Sequence, residues 1–424
     1  MKCFNHTCQG ESHKSTDKEC QDYSLTWQDE ERGITIAIVC DGHGGDSYFR
    51  SATGARLAAE ITLAQSRLFL SDIDASLFIS CPFTAVGTQD TLEEESRLNN
   101  VMRRLFASIY SLWRTAITED GQRELTEWEK EHVEPKYIDL LNDEQRIVKV
   151  YGCTLMAYVC TKDFWFAFHL GDGKMVMLDS EFKFSQPVPW DEKCFLNKTT
   201  SLCGSEPVKD FRFCMQGDGQ FPIAMFLGSD GLDDTYGDGP RLNSFYGGIV
   251  KELALKGQEA VKTMLEEDLP QISKRGSQDD MSVAVVYDEG KIKEAAIAIN
   301  EYQKALLKKD IAELQQKQED KENLIQQARE LEASIPSPSF LEEMMNAIKE
   351  LEERVLNKRS EYATAKNKYE SESAKVEKMK AEARMAEKEL AREQQQLDSL
   401  QERLKKLESF TLKNNEPQDY EEES

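Results

Sequence analysis

The sequence predicts an α+β globular domain over residues 1–290 and a long helical extension over 291–424. Three observations predict it. Short apolar runs are bounded by Gly, Asp or Pro; the runs come in close pairs with no regular strand–helix alternation; and composition changes abruptly near residue 290. All 23 glycines, 10 cysteines, five tryptophans and five histidines precede residue 291, while the remainder is rich in Glu, Lys, Gln, Ala and Leu. The first part is large enough for a sizeable core, and the second reads as a rod.

The strands are expected at 34–40 (ITIAIVC), 153–160 (CTLMAYVC), 164–170 (FWFAFHL), 222–227 (PIAMFL) and 281–287 (MSVAVVY). Each is short and rich in β-branched and aromatic residues, as buried strands are. Helical spacing occupies 47–65 and 94–118, with further helices expected in 242–268. The polar, charged stretch 119–150 reads as an exposed insertion.

The extension carries a heptad. Steps of seven from Leu341 give Ile348, Val355, Tyr362, Tyr369, Val376, Ala383, Leu390, Leu397, Leu404 and Thr411, ten of the eleven apolar. The companion seam, from Met344 to Leu407, is apolar at seven of ten positions. A straight helix of that length would run about 107 Å. An earlier helical stretch, 293–333, ends at "SIPSPSF" (334–340), where prolines remove donors and disfavour helix. The two helices can fold back on each other or pair with another copy or a partner helix. The domains expected are thus 1–290, a coiled-coil region 291–411 broken at 334–340, and an acidic disordered tail 412–424.

Charge excludes some functions. Residues 1–290 carry 29 basic and 48 acidic side chains, and the extension 24 and 30. Such a field repels nucleic acid and anionic membranes. No CxxC pair and no histidine at zinc spacing accompany the cysteines, so a reducing cytoplasm is expected. MKCFNHTCQG lacks an apolar signal region, and no window approaches a membrane span.

The chemistry lies at strand ends. Asp41 follows 34–40, Asp172 follows 164–170, Asp230 follows 222–227, and Asp279 precedes 281–287. Carboxylates gathered at one edge repel unless a cation lies between them, and hard divalent ions prefer oxygen donors. One Asp-Gly alone marks a turn; four such acids with Gly or Ser neighbours point to a metal centre.

These motifs resemble the metal-dependent protein serine/threonine phosphatases of the type 2C, or PPM, family. "VCDGHGG", "GCTLMAYV", "HLGDGK", "GSDGLDD" and "DDMSVAVV" follow the family's order. The resemblance implies two stacked antiparallel β-sheets flanked by helices, and a centre of two Mn2+ or Mg2+ ions with a third, weaker position. It implies that Asp41 bridges the ions, that the Gly42 carbonyl joins it, and that Asp230, Asp279 and Asp22 complete the set, with Asp172 at the third position. His43 becomes the proton donor to the leaving alkoxide. The implied substrate is a phosphorylated protein.

Two departures follow. The family's phosphate-binding arginine is replaced by Asp17, and the pair after it is Gln21-Asp22; "GESHKSTDKECQD" resembles a bacterial branch and leaves His13, Lys14 or Lys18 to supply the cation. Lys174 stands for arginine and Asp280 for asparagine. The competing readings are a phosphatase-like scaffold that only binds, its coiled coil recruiting partners, and a tether whose rod is the working part.

Overall fold

The computed structural model describes residues 1–88, 97–195, 198–237, 239–335, 337–352 and 358–409. The expected acidic tail lies outside the described residues, as do Val355 and Thr411 of the heptad seam. The chain divides into two compact units at residues 299 and 300.

In the first unit the strands, in chain order, are β1 (Lys2–Cys8), β2 (Tyr23–Asp29), β3 (Ile34–Cys40), β4 (Thr84–Val86), β5 (Leu155–Cys160) and β6 (Trp165–Leu170). They continue with β7 (Lys174–Leu178), β8 (Phe184–Ser185), β9 (Arg212–Gln216), β10 (Ala224–Gly228) and β11 (Met281–Tyr287). One sheet has the order β2-β3-β5-β6-β9-β4 and the other β1-β11-β10-β7-β8. Every neighbouring pair is antiparallel. The stacked antiparallel architecture is therefore observed.

Alternation along β3 explains the layering. Ala37 and Val39 pack with Met156, Tyr158, Met225, Leu227, Ala284 and Val286 between the sheets. Ile36 and Ile38 face the other way, with Ala55, Ala58 and Ala59 of the helix Ser51–Asp72 and Leu105, Ile109 and Trp113 of the helix Arg97–Asp120. A strand covered on both faces favours a near-continuous apolar run, and all seven residues of β3 are buried, with Thr35 the one polar member. A polar pin also crosses the layers: Thr7 Oγ1 lies 2.7 Å from Ser24 Oγ and 2.8 Å from Ser282 Oγ.

Charged composition conceals structure in residues 119–150. The segment forms short helices, including Glu127–His132 and Pro135–Ile138, and buries Glu129, Val133, Leu140 and Ile147. It is not an exposed insertion. Glu129 closes a capping box with Thr126 and meets the buried Arg50 guanidinium, Nε to Oε1 at 2.6 Å.

The second unit consists of the body of the helix Ile292–Ser334 with the helices Pro338–Glu352 and Lys358–Glu408. It is a hairpin within one chain. Ile325 and Ala328 pack on Ala383 and Met379. Lys321 Nζ reaches Glu389 Oε2 and Glu393 Oε1, each at 3.0 Å, and Lys380 Nζ reaches Glu332 Oε1 at 2.7 Å. The helix Pro338–Glu352 lies against Lys358–Glu408, so the seam from Leu341 is shared by two helices and is not one straight rod. Folding back lets one chain cover its own stripe. From Ala365 onward the positions of both seams within the described residues are at least partly covered, with Val376, Ala383 and Leu397 of the first seam and Ala386 of the companion buried.

Candidate active site and metal centre

The turn after β3 is held by backbone bonds from three directions. Thr154 N–H donates to the Asp41 carbonyl at 2.8 Å, Gly42 N–H to the Gln21 carbonyl at 3.1 Å, and His43 N–H to the Gly152 carbonyl at 3.1 Å. The Asp41 N–H in turn donates to Thr154 Oγ1 at 3.1 Å. Gly42 is required by this crowding, because a Cβ there would meet the Gln21 carbonyl oxygen at 2.5 Å.

Asp230 begins the helix Asp230–Tyr236 directly after β10, and Asp279 lies just before β11, which pairs with β10. Their electrostatics show that the acids share one neighbourhood. Withdrawal from water, then the charges of Asp230 and Asp22, raises Asp41 well above the carboxylate range. Burial first, then Asp280 and Asp230, does the same to Asp22. Asp230 is pushed up to about 7 by burial, with Asp172 and Asp279 adding to it. Asp41 and Asp230 act on each other directly, which raises Asp41 further and lowers Asp230. Asp172 is raised by burial against the pull of Thr199 and Lys174. Asp234, which sequence reasoning did not single out, joins the group: burial and then the charges of Asp172 and Asp279 raise it. Its signal was present in "GSDGLDD", as one turn of helix separates it from Asp230.

These donors suit a divalent cation. All are carboxylates, hard oxygen donors, and Asp22 Oδ2 is buried with no hydrogen-bond partner. Among the described residues no three acid, histidine or cysteine groups stand together as a finished ligand cluster. Uncompensated carboxylates repel, and the fit rests on donor chemistry and shared neighbourhood.

His43 is in the turn beside the acids, its ring edge-on to Tyr48 at 4.8 Å between centroids. Burial lowers its pKa to about 4. The three basic candidates are separated by the structure. Lys18 Nζ donates to the Gly44 carbonyl at 2.5 Å, inside the turn. His13 is buried, its Nδ1 2.9 Å from Asp280 Oδ2. Lys14 is exposed on the short helix Glu11–Ser15.

Asp280 acquires a role that sequence reasoning missed. Its Oδ1 accepts from Gly10 N–H and its Oδ2 from Gln21 N–H, both at 2.6 Å. Burial would raise its pKa, but His13 and these two amides outweigh that and lower it. Lys174 is buried, with its ammonium 3.5 Å from the Trp190 ring centre and 3.7 Å from Asp233 Oδ2.

Residues 9–269 match the family model described as Protein phosphatase 2C. No curated protein matches the chain. Among solved structures, the S. agalactiae serine/threonine phosphatase is 17% identical, covering 68% of this chain and 98% of its own, with a TM-score of 0.39. PppA, a key regulatory component of T6SS in Pseudomonas aeruginosa, is 15% identical over 68% of this chain and 96% of its own, with a TM-score of 0.40. The catalytic domain of the serine threonine protein phosphatase PstP, in complex with 2 manganese ions, is 16% identical over 68% and 98%, with a TM-score of 0.38.

Proposed function

Because this chain belongs to the protein phosphatase 2C family of protein serine/threonine phosphatases, we propose that it hydrolyses phosphoserine and phosphothreonine at a centre of two divalent cations, Mn2+ or Mg2+, with a third, weaker position. The observation that carries this reading is the gathering of buried acids from both sheets: Asp22 before β2, Asp41 after β3 and Asp230 after β10, with the charge of Asp230 felt at both Asp22 and Asp41. Bound divalent cations lower the pKa of water from about 15.7 toward neutrality and neutralise charge on the transferring phosphoryl group.

The chain's own residues do the rest. Asp41, Asp230, Asp279 and Asp22 would hold the cations, with the Gly42 carbonyl on one of them, and Asp172 would serve the third position. Asp234 lies close enough to share that work. Lys18 is the cation nearest the turn and orients the phosphate, with Lys14 and His13 behind it. His43 donates the proton that lets a serine or threonine alkoxide leave. An arriving phosphate dianion raises the pKa of an imidazole held near about 4, which favours the charged donor when substrate is present.

The coiled-coil hairpin serves oligomerisation or docking of a partner. Sedimentation of the full chain against residues 1–290 tests that part. For the chemistry, phosphate release from p-nitrophenyl phosphate with Mn2+ should fall at least about 100-fold in Asp230→Asn. Activity without metal, or an unaffected Asp230→Asn, would defeat the proposal. Retention of the metal acids argues against the scaffold reading.

A further inference from the structure

Beside the turn Asp41–Gly45 lies a cleft of about 450 Å³ that contains none of the acids Asp41, Asp172, Asp230 or Asp279. One wall is Gln21 with Gly45 and Asp46; the other is the segment 126–137, presenting Trp128 and Tyr137. That second wall is anchored. Glu129, at its base, is clamped by the buried Arg50 and by Arg123, whose guanidinium bonds it at 3.0 and 3.1 Å.

The polar lining is unbalanced. Asp17, Glu19 and Asp46 face the cleft, and neither Asp17 nor Asp46 forms an ion pair among the described residues. Of the two full cations on its surface, Arg123 is paired with Glu129 and Asp120, whereas Lys18 bonds the uncharged Gly44 carbonyl and offsets only one of the three acids. A second observation is independent of these acids. Gln21 is only 4% exposed, its Nε2 donates to Ser51 Oγ at 2.6 Å, and its Oε1 has no partner. A buried acceptor without a donor, at a cleft wall, is costly unless a ligand satisfies it.

We propose that this cleft is a specificity subsite that takes a lysine or arginine side chain of the phosphoprotein, near in sequence to its phosphorylated residue. The inference rests on the phosphatase reading and extends it to substrate choice. The incoming cation is drawn by Asp17, Glu19 and Asp46, its stem lies against Trp128, whose ring stacks on His132 at 5.1 Å between centroids, and its N–H groups reach Gln21 Oε1.

The test is calorimetric binding, to the full chain with Mn2+ present, of peptides whose phosphoserine is replaced by its non-hydrolysable difluoromethylene phosphonate analogue. One lysine is placed in turn at each position from three before to three after the phosphoserine, and each peptide is compared with its norleucine counterpart. The expected result is Kd about tenfold tighter for lysine at one position or more, narrowing as salt is raised. In the double variant Asp17→Asn, Glu19→Gln the advantage should fall below about threefold. Lysine and norleucine within twofold at every position would overturn the subsite, as would an advantage that the double variant leaves intact. The wild-type comparison requires no variant to fold. Parallel assays with p-nitrophenyl phosphate separate the two ideas: a lysine preference without hydrolysis would keep the subsite and remove the phosphatase reading.

Discussion

Arg50 and Glu129 form a buried ion pair, Nε to Oε1 at 2.6 Å, that joins the start of the helix after the metal-site turn to the segment 126–137. Removing one partner leaves the other charge buried and unmatched. Glu129→Gln should cost about 3 kcal/mol of stability, read as a lower urea midpoint. Burial pushes the Glu129 carboxyl up, but Arg50, the Thr126 N–H and Arg123 outweigh it and carry it to about 2. A depressed acid stabilises above its unfolded value of about 4.3 and loses that contribution as pH falls through about 2. The wild type should therefore lose more stability than Glu129→Gln between those two pH values.

Asp280 predicts a second effect on stability. Its carboxylate gathers His13 and the amides of Gly10 and Gln21. Asp280→Asn keeps the shape but loses the charge, so unfolding free energy should drop by about 1.5–3 kcal/mol. A change below about 0.5 kcal/mol would show that the N-terminal segment is held by other contacts.

The proton donor can be tested through the leaving group. Nitrophenolate leaves without protonation, whereas a serine alkoxide does not. His43→Ala should slow phosphopeptide hydrolysis by about 100-fold or more and slow p-nitrophenyl phosphate far less. Equal losses on the two substrates would mean that His43 acts elsewhere.

The hairpin has its own weak point at Ile325, packed on Ala383. Ile325→Asp places a charge in that seam without a partner. The helical signal of the full chain should melt at lower temperature, with loss of part of the hairpin at 25 °C. An unchanged melt would show that the seam contributes little.

What the sequence made legible follows burial. β3 and β11 occur at the predicted bounds because both faces are covered and all but Thr35 and Ser282 are apolar. β1 and β2 went unseen because Asn5, His6, Thr7 and Gln28 interrupt their pattern, and several of those residues bond across strands and sheets. β7 and β9 are five residues each, and Lys174 and Arg212 begin them. At the site, the turn and its aspartates were readable as Asp-Gly at strand ends. Asp280 and Arg50 were not, since their meaning lies in partners up to 270 positions away. The segment 119–150 misled because its charges are matched in three dimensions and look merely solvated in one.

The pairing of β1 with β11 sets Lys2 opposite Tyr287. A nascent chain leaving the ribosome must hold its first strand without a neighbour until almost the whole catalytic unit has been made, since loop closure over that distance has no earlier substitute. Synthesis of the helical hairpin then keeps the completed sheet tethered at the exit while it closes. A chain that ends before β11 lacks the strand that joins β1 to β10, and should release no phosphate.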